Sequence, residues 1–145
     1  MRVVLDTNVV ASAMLWGGTP RLLLQAAREQ RVMLFTSTAL LAELTDILGR
    51  TKFEKKIAAS RLTVDQLVDR YANLITLVRP TLVSGIAPDP DDDVVIGTAL
   101  AAQAKWIVTG DKPLLSVAIY QGVHIVRVSE AVQLKGFEIN HNEGH

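Results

Sequence analysis

V-V-L-D-T-N at residues 3–8 is a short β-branched run that stops abruptly at the carboxylate of Asp6. I-V-T-G-D-K at residues 107–112 repeats the pattern and stops at Asp111. Such runs are typical of strands that are buried on both faces of a parallel sheet. Because parallel strands all point one way, we expect both acids at one edge of the sheet, where open α/β folds place their chemistry.

The rest of the chain alternates between strand and helix patterns. Two more strands are predicted at residues 32–35 and 123–128, and residues 75–78 fit either a short strand or a last helical turn. Helices are predicted at residues 19–28, 37–48, 63–74, 94–104 and 129–134. This order predicts an α/β fold, a three-layer α/β/α sandwich around a twisted, mostly parallel sheet of four to five strands. Residues 1–135 would form the domain and residues 136–145 a polar C-terminal tail.

Composition narrows the class of protein. The chain has 145 residues, 49% of them hydrophobic, and its 15 basic residues balance its 15 acidic ones. That balance argues against a protein that wraps duplex DNA through overall positive charge. No apolar run approaches the roughly 18 residues of a membrane span. Cysteine is absent, which fits a cytoplasmic protein in a reducing compartment.

Glu43 is predicted to lie on a helix, beside its apolar stripe. Leu40, Leu44 and Ile47 belong to that stripe, and Glu43 borders it, whereas Asp46 points away. A capping box would need Ser or Thr three residues before Glu43, where the chain has Leu40. The carboxylate therefore either has a polar partner at the edge of the core or extends from that edge into water.

The run Asp89-Pro90-Asp91-Asp92-Asp93 opens the next helix. Its first acid can cap the helix, the proline suits the first turn, and the next two acids suit the positive end of the helix dipole. Asp93 shares a helix face with Ile96, Gly97 and Leu100, so we expect it to point inward. Gly97 would let the helix backbone approach a neighbouring segment closely.

Four carboxylates from four elements are thus expected to converge, namely Asp6, Glu43, Asp93 and Asp111. Unit charges about 4 Å apart repel by roughly 4 kcal/mol at an effective dielectric of about 20, so such a cluster must bind cations or protonate. Oxygen ligands without cysteine or a nearby histidine select Mg²⁺ or Mn²⁺ over Zn²⁺. The pattern indicates a metal-dependent enzyme that acts on phosphates.

Four segments carry a resemblance to a known family: D-T-N-V, A-L-L-A-E-L, D-P-D-D-D-V-V-I and I-V-T-G-D-K. In this order and at this spacing they resemble the motifs of PIN domains, and more narrowly the bacterial and archaeal PIN proteins of toxin–antitoxin systems. The resemblance covers Met1 to about Val128. It implies a PIN-type α/β fold and a metal-dependent nuclease that cuts single-stranded RNA.

The resemblance also implies roles for individual residues. The catalytic residues and ligands of Mg²⁺ or Mn²⁺ would be Asp6, Glu43, Asp93 and Asp111. Asp93 is chosen because the family's third acid stands three residues before an Ile-led helix of small residues, here Ile96. Asp92 is the alternative ligand, and both acids can take part through water. The polar positions beside the acids, which orient carboxylates or waters, are matched by Thr7, Asn8 and Thr109.

The function predicted from these features is a metal-dependent endoribonuclease that hydrolyses phosphodiester bonds in single-stranded RNA. It would be the toxin of a toxin–antitoxin pair, with a small antitoxin protein as partner. Two alternatives stay open. One is a metal-dependent phosphatase, although its common D-x-D arrangement is absent because Asn8 stands two residues after Asp6. The other is a PIN-like module that binds RNA or a partner with little catalysis.

Basic residues outside the acidic motifs are candidate substrate contacts. Lys112 stands next to Asp111, and Lys55 and Lys56 belong to the basic stretch at residues 50–61. These side chains would bind substrate phosphates, or the stretch is simply a solvated face.

Aromatic and apolar residues complete the expectations. Trp16 and Trp106 are predicted in the core rather than as base-stacking platforms, and the histidines at the surface: His124, His141 and His145. The family resemblance suggests a homodimer, for which the apolar helix surface at residues 22–27 would provide contacts.

Overall fold

The centre of the fold is a twisted sheet, which in residues 1–138, the part described by the computed structural model, has six strands. The strands are β1 (Arg2–Leu5), β2 (Met33–Thr36), β3 (Thr76–Leu77), β4 (Trp106–Val108), β5 (Ile119–Tyr120) and β6 (Val123–Val126). Their order is β3-β2-β1-β4-β6-β5, and all neighbours are parallel except β5 and β6. The mostly parallel sheet is confirmed, and two-residue strands at both edges bring the count above the predicted four to five.

Helices cover both faces of the sheet. They are α1 (Thr7–Leu15), α2 (Thr19–Arg28), α3 (Thr38–Leu48), α4 (Glu54–Ser60), α5 (Val64–Leu74), α6 (Pro90–Ala101), α7 (Lys112–Leu115) and α8 (Val128–Ala131), with a 3₁₀ turn at Thr51–Phe53. The predicted α2, α3, α5 and α6 are confirmed. The sequence analysis missed α1, α4 and α7, and α8 is shorter than predicted.

Alternation along the central strand builds two separate apolar layers. Val3 and Leu5 pack with α1, α2, α3 and α5 on one face, whereas Val4 packs with α6 on the other. Side chains of a strand point alternately to opposite faces, so three consecutive apolar residues serve both layers. Val3, Val4 and Leu5 are at most 1% exposed, which confirms a strand buried on both faces and the three-layer α/β/α arrangement.

Gly97 brings α6 against the loop that precedes it. The amide of Thr81 donates to the carbonyl oxygen of Gly97 over 3.0 Å. A Cβ atom at position 97 would collide with the carbonyl oxygen of Thr81. The expected close approach at this glycine is therefore confirmed, and it holds the loop at Thr81 against the middle of α6.

Two aromatic residues lie elsewhere than predicted. Trp16, expected in the core, is 50% exposed because it follows the last residue of α1 and its ring rests edge-on against Phe53. Phe137, in the segment predicted as a polar tail, is 1% exposed and packs in the core. Trp106 is half-buried, and it stacks on the exposed His124.

The apolar residues of α2 were expected to form an exposed patch. Leu23, Leu24, Ala26 and Ala27 are instead buried beneath the helix, in the same core layer as β1. The structural argument for a dimer through this patch was therefore wrong, because α2 uses these side chains to cover the sheet.

None of the helices in residues 1–138 is both long and apolar enough to cross a lipid bilayer. The predicted surface residues His141 and His145 lie outside the described residues.

Candidate active site

The candidate site lies where the order of strands reverses. The chain moves from β1 outward to β2 and β3, then returns to place β4 on the other side of β1. Leu5 pairs with Val108 at the carboxyl ends of these two strands, and the amide of Asp6 donates to the carbonyl oxygen of Val108 over 2.9 Å. Open α/β folds bind ligands in the crevice at such a reversal.

Asp6 is buried at the start of α1, with 4% of its surface exposed. One carboxylate oxygen accepts the amide of Thr7 over 2.8 Å, and the other accepts the hydroxyl of Thr109 over 2.7 Å. Burial raises the pKa of Asp6 and the charge of Asp111 raises it further, whereas the hydrogen bonds from Thr109 and Thr7 lower it. The site thus holds a carboxylate in place at an electrostatic cost.

Thr109 joins the two acids that end the strands. Its hydroxyl donates to Asp6, and the same oxygen accepts the amide of Asp111 over 3.0 Å. The carboxylate of Asp111 in turn caps α7 by accepting the amide of Leu114 over 3.2 Å. Both acids are therefore helix caps at the same sheet edge, and one hydroxyl fixes their relative position.

Asp92 brings a third carboxylate to this edge from the first turn of α6. Its pKa is raised to about 7 by partial burial, by contact with Asp111, and by the charges of Asp6 and Asp89. Close carboxylates cannot all be charged without a cation, so the proton on Asp92 relieves the repulsion. Asp92 thus interacts with three other acids of this cluster, Asp111, Asp6 and Asp89.

Asp93 is buried as predicted, at 5% exposure, but it faces a different partner. Its carboxylate accepts the amide of Ala87 over 2.8 Å and so holds the loop before α6. Successive residues of a helix point about 100° apart, so the side chains of Asp92 and Asp93 face different neighbours. The structure brings Asp92 close to Asp111 and Asp6, and one oxygen of Asp93 is engaged by the Ala87 amide.

Glu43 reaches the site through Thr7. Its half-buried carboxylate accepts the hydroxyl of Thr7 over 2.6 Å. Because the amide of Thr7 also donates to Asp6, this threonine contacts both acids. Glu43 therefore has the polar partner at the edge of the core that its helix position indicated.

A comparison with known families bears on this arrangement. The sequence pattern of the PIN domain matches residues 2–113, a span that includes all of the acids described above. The chain belongs to the PIN-domain family. Members of this family are generally nucleases. No curated protein matches the sequence significantly.

Among solved structures, this PIN domain is similar to VapBC2 from Rickettsia felis, a complex bound to a DNA fragment from its promoter. The TM-score is 0.57 at 16% sequence identity, and the match covers 88% of this chain and 98% of the other. At that identity the similarity establishes the fold alone.

The carboxylates of Asp6, Asp92 and Asp111 at this edge of the sheet are candidate ligands for a divalent ion. Within residues 1–138, no three Asp, Glu, His or Cys side chains are already arranged around a single metal position. Partial burial, followed by the interaction with Asp111 and the charges of Asp6 and Asp89, raises the pKa of Asp92 to about 7. These carboxylates are oxygen donors, which suit Mg²⁺ or Mn²⁺. The residues therefore fit such an ion in charge and donor type.

The other predicted site residues divide into two groups. Asn8 and Lys112 are exposed beside the acidic edge, one following Asp6 and Thr7 and the other opening α7. Lys55 and Lys56 are exposed on α4, on a separate part of the surface. There the ammonium of Lys56 lies 5.5 Å from the centre of the Trp16 ring.

Proposed function

We propose that this PIN domain is a divalent-metal-dependent endoribonuclease that hydrolyses phosphodiester bonds in single-stranded RNA. The observation that supports it most is the contact of Asp92 with Asp111 beside the buried Asp6. Carboxylates this close together repel each other, and a bound cation would relieve that repulsion. Acids with such perturbed pKa values, held close to one another, are typical of sites that bind metal or substrate.

We propose Asp6, Asp92 and Asp111 as the metal ligands. Glu43 is linked to this group by its hydrogen bond from Thr7, whose amide also donates to Asp6. A bound ion would polarise the scissile phosphate and lower the pKa of an attacking water. Asp93, the sequence-based choice, is assigned instead to holding the loop at Ala87, because its carboxylate accepts that amide.

The chain's own residues would position the reacting groups. Thr109 and Thr7 hold both oxygens of Asp6 and leave its orientation fixed. The hydroxyl of Thr7 also donates to Glu43. The carboxylates of Asp6 and Glu43 would therefore keep their relative positions when substrate binds. Lys112, exposed next to Asp111, would bind a substrate phosphate and offset the negative charge of the edge.

A basic and aromatic surface supports RNA as the substrate. Trp16 is half-exposed, with Lys56 over its ring and Phe53 against its edge. It follows α1, whose nine residues separate it from Asp6 by about 14 Å at 1.5 Å per residue. Exposed aromatic rings beside cations are the features that bind unpaired bases and backbone phosphates. A single strand lying along α1 would contact both ends of the helix.

The decisive experiment is cleavage of a single-stranded RNA pool by wild type and Asp6→Asn, each with Mn²⁺, with Mg²⁺ and with a chelator. We expect cleavage by wild type with metal alone and little cleavage of a matched duplex. RNA binding without cleavage would favour the non-catalytic alternative. Hydrolysis of p-nitrophenyl phosphate in place of RNA would favour the phosphatase.

A small antitoxin protein is the proposed partner. The similarity to VapBC2 of Rickettsia felis supports it through the fold they share. Co-expression with a small protein encoded beside this gene should give a complex that survives purification and cleaves RNA more slowly. Separate elution of the two proteins would contradict the proposal. The homodimer and the cytoplasmic location stay predictions.

A further inference from the structure

A second candidate site lies in a groove between α2 and α5, with α1 at its base. The groove has a volume of about 560 Å³ and shares no lining residue with the acidic edge. Pockets for small organic ligands fall in the range of about 300–1,000 Å³, and helices packed side by side often form them.

The two helices present matching faces to this groove. Arg21, Leu24 and Arg28 follow each other at three- and four-residue spacing on α2, so they share one side of the helix. Leu67, Arg70, Tyr71 and Leu74 do the same on α5. Each wall therefore combines leucine with arginine.

The arginines of the groove have no counter-charge in the described structure. No Asp or Glu lines the groove, and Arg21, Arg28 and Arg70 make no ion pair within residues 1–138. All three side chains are exposed. Arginines that line an apolar groove without acids provide donors for an anionic group.

Tyr71 gives an independent indication of a ligand. The residue is 4% exposed, and its hydroxyl is buried without a hydrogen-bond partner in the described part of the chain. A buried hydroxyl without a partner is destabilising, and native structures usually supply one. Burial also raises the pKa of this phenol, so it stays protonated and can donate.

We propose that the groove binds a small organic anion, with its phosphate or carboxylate on Arg21, Arg28 and Arg70 and its apolar body against Leu24 and Leu67. The hydroxyl of Tyr71, which is buried in the ligand-free protein, would be uncovered on binding and donate to an oxygen of the ligand. This groove is separate from the acidic edge formed by Asp6, Asp92 and Asp111. The proposal for the groove does not depend on the function proposed for that edge. The groove is lined in part by the buried Tyr71, and its volume of about 560 Å³ suits a compact ligand rather than a continuous nucleic-acid backbone.

Calorimetry with three probes tests the proposal, in chelator so that the acidic edge is free of metal. Phenyl phosphate and benzoate carry the two candidate anionic groups, and benzyl alcohol is the neutral control. We expect saturable binding of one molecule of an anionic probe per chain, with the tighter probe identifying the anionic group. Equal binding of benzyl alcohol, or no binding of either anion, overturns the proposal.

Variants locate the binding within the groove. Arg70→Gln should weaken the tighter probe about tenfold, as expected for a lost charged hydrogen bond, and Tyr71→Phe should weaken it severalfold. The matched control is Arg50→Gln, which removes the same charge from an arginine already paired with Asp46 and should leave affinity unchanged. Equal losses of affinity in Arg70→Gln and Arg50→Gln would mean that the change in net charge, and not the position of Arg70, weakens binding. Unchanged affinity in Tyr71→Phe, with the fold verified by circular dichroism, would contradict the assigned hydroxyl contact. Either result overturns the proposal.

Discussion

The acidic edge at β1 and β4 and the arginine-lined groove between α2 and α5 carry opposite charge on one chain whose formal charge is balanced. At the edge, partial burial and the neighbouring acids Asp111 and Asp6 raise the pKa of Asp92 to about 7. In the groove, three arginines stand without an acid among the lining residues. Balanced composition therefore says little about local potential, which depends on how the fold distributes the charges.

The largest expected effect concerns the three consecutive acids of α6. Asp92→Asn should lower the rate of RNA cleavage by about 100- to 1,000-fold, the scale seen when one electrostatic contact to a transition state is lost. Asp91→Asn is the control, because Asp91 is exposed in the same helical turn and should retain activity. Initial rates at saturating Mn²⁺ measure both. Equal loss in the two variants would mean that the helix terminus, and not the Asp92 position, matters.

Thr109 tests how strongly the edge depends on its supporting hydroxyl. Thr109→Val removes the donor to Asp6 and the acceptor for the amide of Asp111. Metal affinity should fall by roughly 10- to 100-fold, as is usual for groups that orient ligands. Titration with Mn²⁺ measures it, and Thr109→Ser should restore most of the affinity. A serine variant as weak as the valine variant would point to packing of the methyl group instead.

Asp93 should affect stability rather than chemistry. Asp93→Ala removes the buried acceptor of the Ala87 amide and should lower the free energy of unfolding by about 1–3 kcal/mol. Urea unfolding provides the measurement. Cleavage per folded molecule should change far less than in Asp92→Asn. A large loss of activity in a fully folded Asp93→Ala protein would return Asp93 to the metal site.

The pH dependence of stability offers a smaller test of the acidic edge. The folded-state pKa of Asp92 is about 7, above the ordinary value of 3.8. Between these values the folded protein holds a proton that the unfolded chain releases, so this contribution to stability is lost as pH rises through about 7. The metal-free melting temperature of wild type relative to Asp92→Asn should therefore fall from pH 5.5 to pH 8. A constant difference would contradict the contact with Asp111.

The smallest effect is expected in the groove. Tyr71→Phe removes a hydroxyl that is buried without a partner, so the ligand-free protein should be as stable as wild type or more stable by up to about 1 kcal/mol. Thermal unfolding in chelator measures this. A clear loss of stability would show that the hydroxyl has a partner within the fold, and the contrast between the groove and the edge would weaken.

The sequence was most informative where short local patterns decide structure. The β-branched run at Val3 predicted a strand buried on both faces, and a helix was predicted from residue 63, where Thr63 and Gln66 form the capping box that opens α5. Both depend on residues within a few positions of each other. The helix α1 was missed because Asp6 was taken as the end of a strand, although the same residue caps the helix that follows.

The choice between Asp92 and Asp93 could not be made from local patterns. Both acids stand in the first turns of α6, and one residue of rotation separates them. Our proposal of Asp92 rests on the loop at Ala87, whose amide donates to one oxygen of Asp93, together with the proximity of Asp111 to Asp92. Those contacts come from tertiary structure, as does the exposure of Trp16.

The placement of β4 beside β1 has a consequence for the timing of synthesis. The hydroxyl of Thr109 and the carboxylate of Asp6 are separated by 103 positions in the chain, so a ribosome must extend most of the protein before the edge can form. At roughly 5–20 residues per second this delay is several seconds or more. If the chain is the ribonuclease that we propose, the segment from β1 to α6 is synthesised before the acidic edge can be completed. The growing polypeptide therefore cannot cut RNA until Thr109 and Asp111 have been added and β4 has paired with β1.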